Sequence, residues 1–273
     1  MDFIEYEVRD RVALITLNRP KQRNAQNKQL LVELDECFTR AAEDREIRVI
    51  VLKANGPHFS SGHDIAPGPE REARIDEILG RKDQVGLHDF YTWESKHYVG
   101  FCRKWRDIQK PTIAAVQGAC IAGGLMLVWP CDLIVAADNA WFSDPVVRLG
   151  IGGVEYHGHT WEWGARKAKE MLFTAGALNA EQAEKLGMVN RVVPLDKLEE
   201  STMELANQIA QMHPYALAMA KRAVNQTLDM QGQYNAVQAV FDIHFNGHGS
   251  AMVQTGFPIV ADLGEMRKAN KGE

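Results

Sequence analysis

No apolar run in this chain approaches the ~18 residues that a membrane-spanning helix requires, so no membrane role is expected. The opening residues, Met1-Asp2-Phe3-Ile4-Glu5, carry neither the basic segment nor the apolar core of a secretory leader. Cysteine is scarce: Cys37, Cys102, Cys120 and Cys131 are the four, with no Cys-x-x-Cys and no Cys/His pairing. That argues against a disulfide framework or a zinc ribbon. These thiols are expected to be reduced and buried, the chain cytoplasmic, and the Asn225-Gln226-Thr227 sequon without consequence. The formal charge of −5 comes with no basic stripe, so nucleic acid is not an expected partner. Also missing are a Gly-x-Ser-x-Gly elbow, a P-loop and a dinucleotide fingerprint.

What is present suits one large domain. The chain has 273 residues, 45% hydrophobic and 25% charged, enough to bury a sizeable core. Val12–Leu17, Val49–Leu52, Thr112–Val116 and Asp132–Ala136 have the composition of buried strands. From Asn27, a suitable N-cap, Leu30, Leu31, Leu34, Phe38, Ala41 and Ala42 recur at helical spacing. Strands alternating with helices predict an α/β fold with a covered, largely parallel sheet. After residue 160 the pattern becomes helical. Asn179–Gly187 has a cap at one end and glycine at the other, Pro214 opens a stretch with Leu217, Ala220, Val224 and Leu228 on one face, and a further helix is expected over Tyr234–Phe245.

Residues 66–109 are less regular. Arg71–Arg81 is charged and reads as a solvated helix, and Phe90, Tyr91, Trp93, Tyr98, Phe101 and Trp105 follow as an aromatic cluster. Either these rings pack a helix on the core, or they form the wall of a pocket for a bulky group.

Two segments carry the chemistry. Lys110–Gly124 runs from a buried strand into small residues and a Gly-Gly pair ahead of an apolar helix, presenting backbone N–H groups where a developing negative charge would be stabilised. A second such turn is His58-Phe59-Ser60-Ser61-Gly62-His63-Asp64. With Leu17-Asn18-Arg19-Pro20, Asn24-Ala25, Cys131-Asp132, Thr174-Ala175-Gly176, Ala180–Ala183 and Leu186-Gly187-Met188-Val189-Asn190, the chain resembles the crotonase superfamily, the enoyl-CoA hydratase/isomerase family, over roughly residues 10–195.

The resemblance implies a spiral of ββα turns over residues 1–195 and a C-terminal helical oligomerisation region over 196–273. It also implies an acyl-CoA thioester as substrate and a homotrimer or homohexamer, although intramolecular packing would explain the C-terminal apolar stripes equally well. Carried over, the N–H groups of His63 and Gly123 would form an oxyanion hole, each donor contributing roughly 100–1,000-fold in rate. Arg23 would lie near the CoA phosphates unless it is simply solvated, and Asp64 and Ile65 would lie beside the adenine. CoA belongs to the substrate; enolate chemistry needs no further cofactor.

The departures matter as much. The two positions where hydratases of the family carry glutamates hold Met126 and Val146, the latter in Asp144-Pro145-Val146. Neither can move a proton. Losing both groups costs roughly 5 kcal/mol or more of barrier lowering. Other members place an aspartate where ungapped counting lands on Val154, so the adjacent Glu155 is the preferred substitute base, or else an exposed loop carboxylate. Asp144 is the second candidate, or else a turn residue before Pro145. His157 and His159 are near enough in sequence to reach the same pocket, but no third ligand accompanies them, so no metal is expected. His244 and His248 are four apart; Gly247 and Gly249 argue against a continuous helix there, and no metal site is read from them. The tail lacks the family's Lys-Arg-x-Pro run, so no CoA contact is carried over to it.

Three functions follow. The first is an acyl-CoA enzyme working through a thioester enolate, as a lyase or isomerase of fatty acid metabolism. The second is a CoA-thioester or ring-cleaving hydrolase of the same fold. The third is a silent acyl-CoA-binding homologue.

Overall fold

Strand β2 (Val12–Leu17) is buried at all six positions, which a strand achieves only when both faces of its sheet are covered. In the computed structural model, which describes residues 1–65 and 87–260, both covers are helical. The sheet has six strands in the order β1 (Ile4–Arg9), β2, β3 (Val49–Ala54), β4 (Thr112–Val116), β6 (Leu133–Ala137) and β9 (Arg191–Val193). β1 is antiparallel to β2, and every other pairing is parallel. A second sheet joins β5 (Ala119–Ile121), β7 (Trp141–Ser143) and β8 (Ala177–Asn179).

Alternation along the strands sorts side chains between two cores. Ala13, Ile15, Leu17, Ile50, Leu52 and Ala114 pack with Leu30, Leu34 and Phe38 of α1 (Lys28–Glu43). Val12, Leu14, Val49, Val51, Ile113 and Ala115 point the other way, onto Leu198, Leu205, Ala206 and Ala210 of α7 (Leu198–Ala210). The Asn27 side chain caps α1 by accepting from the Leu30 N–H at 2.9 Å. The buried Glu33 ties the edge strand to that helix, accepting from the N–H groups of Phe3 and Ile4 at 2.9 and 3.2 Å.

α2 (Leu87–Glu94) runs through a wide π-helical turn, Ser95–Gly100, into α3 (Phe101–Arg106). Trp105 stacks on Phe38 with ring centroids 5.1 Å apart, and its indole N–H donates to Asp35 at 3.0 Å. Next come α4 (Gly123–Val128), α5 (His159–Thr174) and α6 (Ala180–Lys185), the last opened by an Asn179/Gln182 capping box. α8 (Pro214–Met230) and α9 (Gln233–Thr255) close the described chain. No described helix is long and apolar enough to cross a membrane. The charged stretch Arg71–Arg81 lies outside the described residues.

Two sequence expectations need correction. The helical pattern expected after residue 160 is interrupted by β8 and β9, each three residues and too short to show a period. The larger correction concerns α9, which continues through Gly247 and Gly249 as a helix of 23 residues. Glycine costs a helix up to about 1 kcal/mol, yet Phe241, His244, Phe245, His248 and Ala251 are all buried along it. Gly247 is also required for contact: a Cβ there would stand 3.0 Å from the Gly150 carbonyl oxygen and 3.2 Å from the Ile151 Cα. Packing overrides the local preference.

Trp105→Ala would leave a cavity between α1 and α3 and strip Asp35 of a donor. It is expected to lower stability by about 3–5 kcal/mol in urea unfolding; an unchanged midpoint would contradict the packing described.

Candidate functional site

The turn at residues 58–64 is positioned by backbone pairing on both flanks. Phe59 and Ser60 donate to the carbonyls of Gln117 and Ala119 at 2.8 and 3.1 Å, and Ile121 donates back to Ser60 at 3.0 Å. Beyond that, Gln26 donates to Gly62 at 2.8 Å and accepts from Asp64 at 2.9 Å. Gly62 has φ +86°, and a Cβ on it would come within 2.8 Å of the Ile121 carbonyl oxygen and 3.1 Å of the Gly123 nitrogen. Only glycine lets the two segments meet there. Asn24, fully buried at φ +52°, braces the turn by donating to the carbonyls of Asn55 and His58, both at 3.0 Å.

This pairing uses the Gly62 carbonyl and the Asp64 N–H on either side of His63, and among the described residues it leaves the His63 N–H itself out of the ladder. Ala122 donates to Ser143 at 2.8 Å, while the next amide, that of Gly123, opens α4 and precedes the first intrahelical bond. Ala122 holds φ 49°, ψ −118°, a conformation costly for a residue with a side chain and the kind of backbone strain that clusters at functional sites.

A cavity of about 570 Å³ opens beside these two segments. Arg23, Asp64 and Ile65 line it, as do His63, Val146 and Glu155. Arg23 is exposed with φ 52°, and Asp64 is paired with the buried Arg19 guanidinium at 3.2 Å. Phe90, Trp93 and Tyr98 are on the wall, whereas Phe101 and Trp105 pack into the core. The aromatic cluster therefore divides between the two roles considered for it. Met126 is away from the wall: it is buried in α4, and its carbonyl accepts from the Cys102 thiol at 3.2 Å.

Glu155 is 3% exposed and faces the cavity, so it is not an exposed loop carboxylate. Its Oε2 lies 3.1 Å from His63 Nε2, and the His63 ring stacks on Tyr98 with centroids 4.1 Å apart. Its Oε1 lies 3.7 Å from His244 Nε2. Burial raises the Glu155 carboxyl, but the charges of His63 and His244 outweigh it and hold the pKa down, near 2. His244 goes the other way: burial lowers it, while Glu155, Glu94 and the Gly153 carbonyl raise it to about 9.

Asp144 does not reach the cavity. Its Oδ2 accepts from the Val154 N–H at 2.8 Å and meets His159 Nε2 at 2.7 Å, both groups deeply buried. His159 continues to His157 at 3.2 Å, and His157 to Thr160 at 2.8 Å. This chain braces the loop one residue before Glu155 and lines no part of the cavity.

Sequence reasoning passed over three cavity residues: Glu94, His244 and His248. The i, i+4 spacing of the histidines is a usable signal, offset in the sequence by Gly247 and Gly249, which argue locally against the helix that α9 in fact forms. Glu94 carried no signal, since a carboxylate among aromatic residues reads as solvent-facing until the helix is placed.

Comparison with known proteins gives one consistent result. The sequence profile of the family described as enoyl-CoA hydratase/isomerase matches residues 7–256. A solved structure of a probable enoyl-CoA hydratase from Mycobacterium smegmatis is 57% identical, with 95% of this chain and 100% of that one covered and a TM-score of 0.88. An enoyl-CoA hydratase/isomerase structure from Xanthobacter autotrophicus Py2 is 29% identical over 93% of this chain and 94% of that one, with a TM-score of 0.81. A Mycobacterium tuberculosis protein named for enoyl-CoA hydratase, EchA13, is 43% identical over 259 residues, 90% of this chain and 81% of that protein.

Asp144→Asn would replace by an amide the buried carboxylate that meets both His159 and the Val154 N–H. About 1–3 kcal/mol of stability should be lost by chemical denaturation; wild-type stability would show that the Asp144–His159 brace contributes nothing.

Proposed function

This chain belongs to the enoyl-CoA hydratase/isomerase family, and on that premise we propose that it stabilises the enolate of an acyl-CoA thioester between the N–H groups of His63 and Gly123, with Glu155 moving the proton. The observation that carries this is the placement of Glu155: a buried carboxylate on the cavity wall, hydrogen-bonded to the ring of His63, on a cavity that the 61–65 turn and the Ile121-Ala122 segment also line. A thioester oxygen accepting from both amides would gain most as negative charge develops on it during enolisation. Glu155 is ionised at neutral pH, the state a general base needs.

The remaining walls suit the two ends of such a substrate. Lys21, Arg23 and Lys28 stand on one part of the rim, where they would meet CoA phosphates, with Asp64 and Ile65 beside the nucleotide. Phe90, Trp93 and Tyr98 favour a bulky or aromatic acyl group. The family's usual acid and base positions fall on Met126 and Val146, so efficient standard hydration is not proposed. Those same two residues favour a second reading, a silent acyl-CoA binder. The enolate step draws on no cofactor beyond the CoA of the substrate.

We also place a homotrimer or homohexamer in this proposal. No residue of α8 is buried, Val224 in it and Ile243 in α9 are each 62% exposed, and such apolar surface favours a partner copy.

Exchange of the α-hydrogens of a saturated acyl-CoA in deuterated water, followed by mass spectrometry, tests the chemistry directly. Wild type should incorporate deuterium and Glu155→Gln should slow it by about 100–10,000-fold. No exchange with aliphatic and aryl-substituted acyl-CoA thioesters that nonetheless bind would establish the silent binder instead. By light scattering the chain should have three or six times its 30.6 kDa mass; a monomer would overturn the assembly.

A further inference from the structure

Four buried side chains, Glu94, Glu155, His244 and His248, each aim one ligand-type atom at a common point on the cavity wall, all within 4.8 Å of one another. They come from three separate pieces of the fold: the end of α2, the loop after residue 150, and one face of α9. We propose that Glu94, His244 and His248 form a binding site for one first-row divalent transition ion, open to the cavity, with Glu155 within reach of its fourth position. This goes beyond the enolate chemistry and does not rest on it.

The histidine tautomers are the first argument. His244 Nδ1 lies 2.6 Å from the Gly153 carbonyl oxygen and His248 Nδ1 lies 2.7 Å from that of Pro258. A carbonyl only accepts, so both Nδ1 atoms carry hydrogen. Once deprotonated, as ligands to a cation are, both rings would turn an Nε2 lone pair toward the same point, and the two Nε2 atoms are 3.1 Å apart. Lone pairs that face each other repel unless a proton or a cation stands between them. An Nδ1–H anchored on a backbone carbonyl is also the support that orients metal-ligating histidines.

Distances supply the second argument. Glu94 Oε2 is 3.7 Å from His244 Nε2, and Glu94 Oε1 is 3.5 Å from His248 Nε2. Ligands at 2.0–2.1 Å around a tetrahedral ion are separated by about 3.3 Å. The two Glu94 contacts would close by a few tenths of an ångström and the 3.1 Å histidine pair would open by about as much.

Charge and hydrogen bonding complete the case. Glu94 is 98% buried, yet its Oε2 accepts no hydrogen bond, which is costly for a carboxylate oxygen. With both imidazoles deprotonated as ligands, the two buried carboxylates leave a charge of −2, which a dication would cancel in place of the proton that His244 otherwise holds. The mixed nitrogen and oxygen set suits Zn²⁺, Fe²⁺ or Co²⁺ better than Mg²⁺ or Ca²⁺. At this place the ion would act as a Lewis acid on a substrate oxygen or on a water molecule.

The test is calorimetric titration of the chelator-treated full chain with Zn²⁺, paralleled by Co²⁺ titration followed through its visible absorption. One equivalent should bind, and Glu94→Gln and His248→Ala should each weaken binding by about 100-fold, while His157→Ala leaves it unchanged. Glu94→Gln is isosteric and keeps the measurement informative where His248→Ala fails to fold. Absence of stoichiometric binding by folded wild type would overturn the site, leaving a shared proton between the histidines as the occupant, and equal binding by wild type and Glu94→Gln would overturn it too. Neither titration uses a thioester, so failure here is separable from failure of the exchange experiment.

Discussion

Residues 60–64 are gripped from both flanks by backbone hydrogen bonds, to Gln26 on one side and to β5 on the other, and the cavity depends on that double grip. The amides of Gln26, Phe59, Ser60, Asp64 and Ile121 are spent on these pairings, and the His63 N–H is not among them. The same pairing brings the turn against the start of α4, close enough that only Gly62 fits between them. Ala122 takes up the remaining mismatch as backbone strain. Rigid parallel strands behind both segments make that strain affordable, because neither segment can relax without breaking the sheet.

A second constraint acts on charge. Glu155 and Glu94 are withdrawn from water into a wall they share with Phe90, Trp93, Leu149, Ile151 and Val154, and buried carboxylates require compensation. His63, His244 and His248 supply it, and each histidine is itself held by a stacking ring or a backbone carbonyl. Asp144, Glu155 and the histidines around them thus divide into two separate networks. One braces the loop from behind, and the other faces the cavity. The proposed enolate chemistry draws on the Glu155–His63 end of the second network, and the proposed ion would occupy its opposite end.

Much of this was legible in the residues. The continuous apolar runs of β2, β3 and β4 announce strands covered on both faces, and Asn27 and Asn179 announce the helices they cap. The glycine-rich turns at Gly62 and Gly123 were visible as motifs, and Glu155 was visible as a carboxylate one residue from an expected position. α9 was misjudged at its glycines, because helix propensity is a local quantity and the contact that requires Gly247 lies almost 100 residues away in the chain. Asp144 was plausible as a base for the converse reason: nothing nearby in sequence shows that His159 and the Val154 amide already occupy it.

By itself, then, the sequence determined the α/β class, the family, the two amide-bearing turns and the helical C-terminal region, since each is written in local periodicity or in a contiguous motif. Only the tertiary structure decided which carboxylates face the cavity, that Met126 is withdrawn into the core, and that Glu94, His244 and His248 converge. Those outcomes depend on how the α2–α3 rod and α9 lie across the loop after residue 150. Packing between elements distant in sequence sets that arrangement, and no local pattern encodes it.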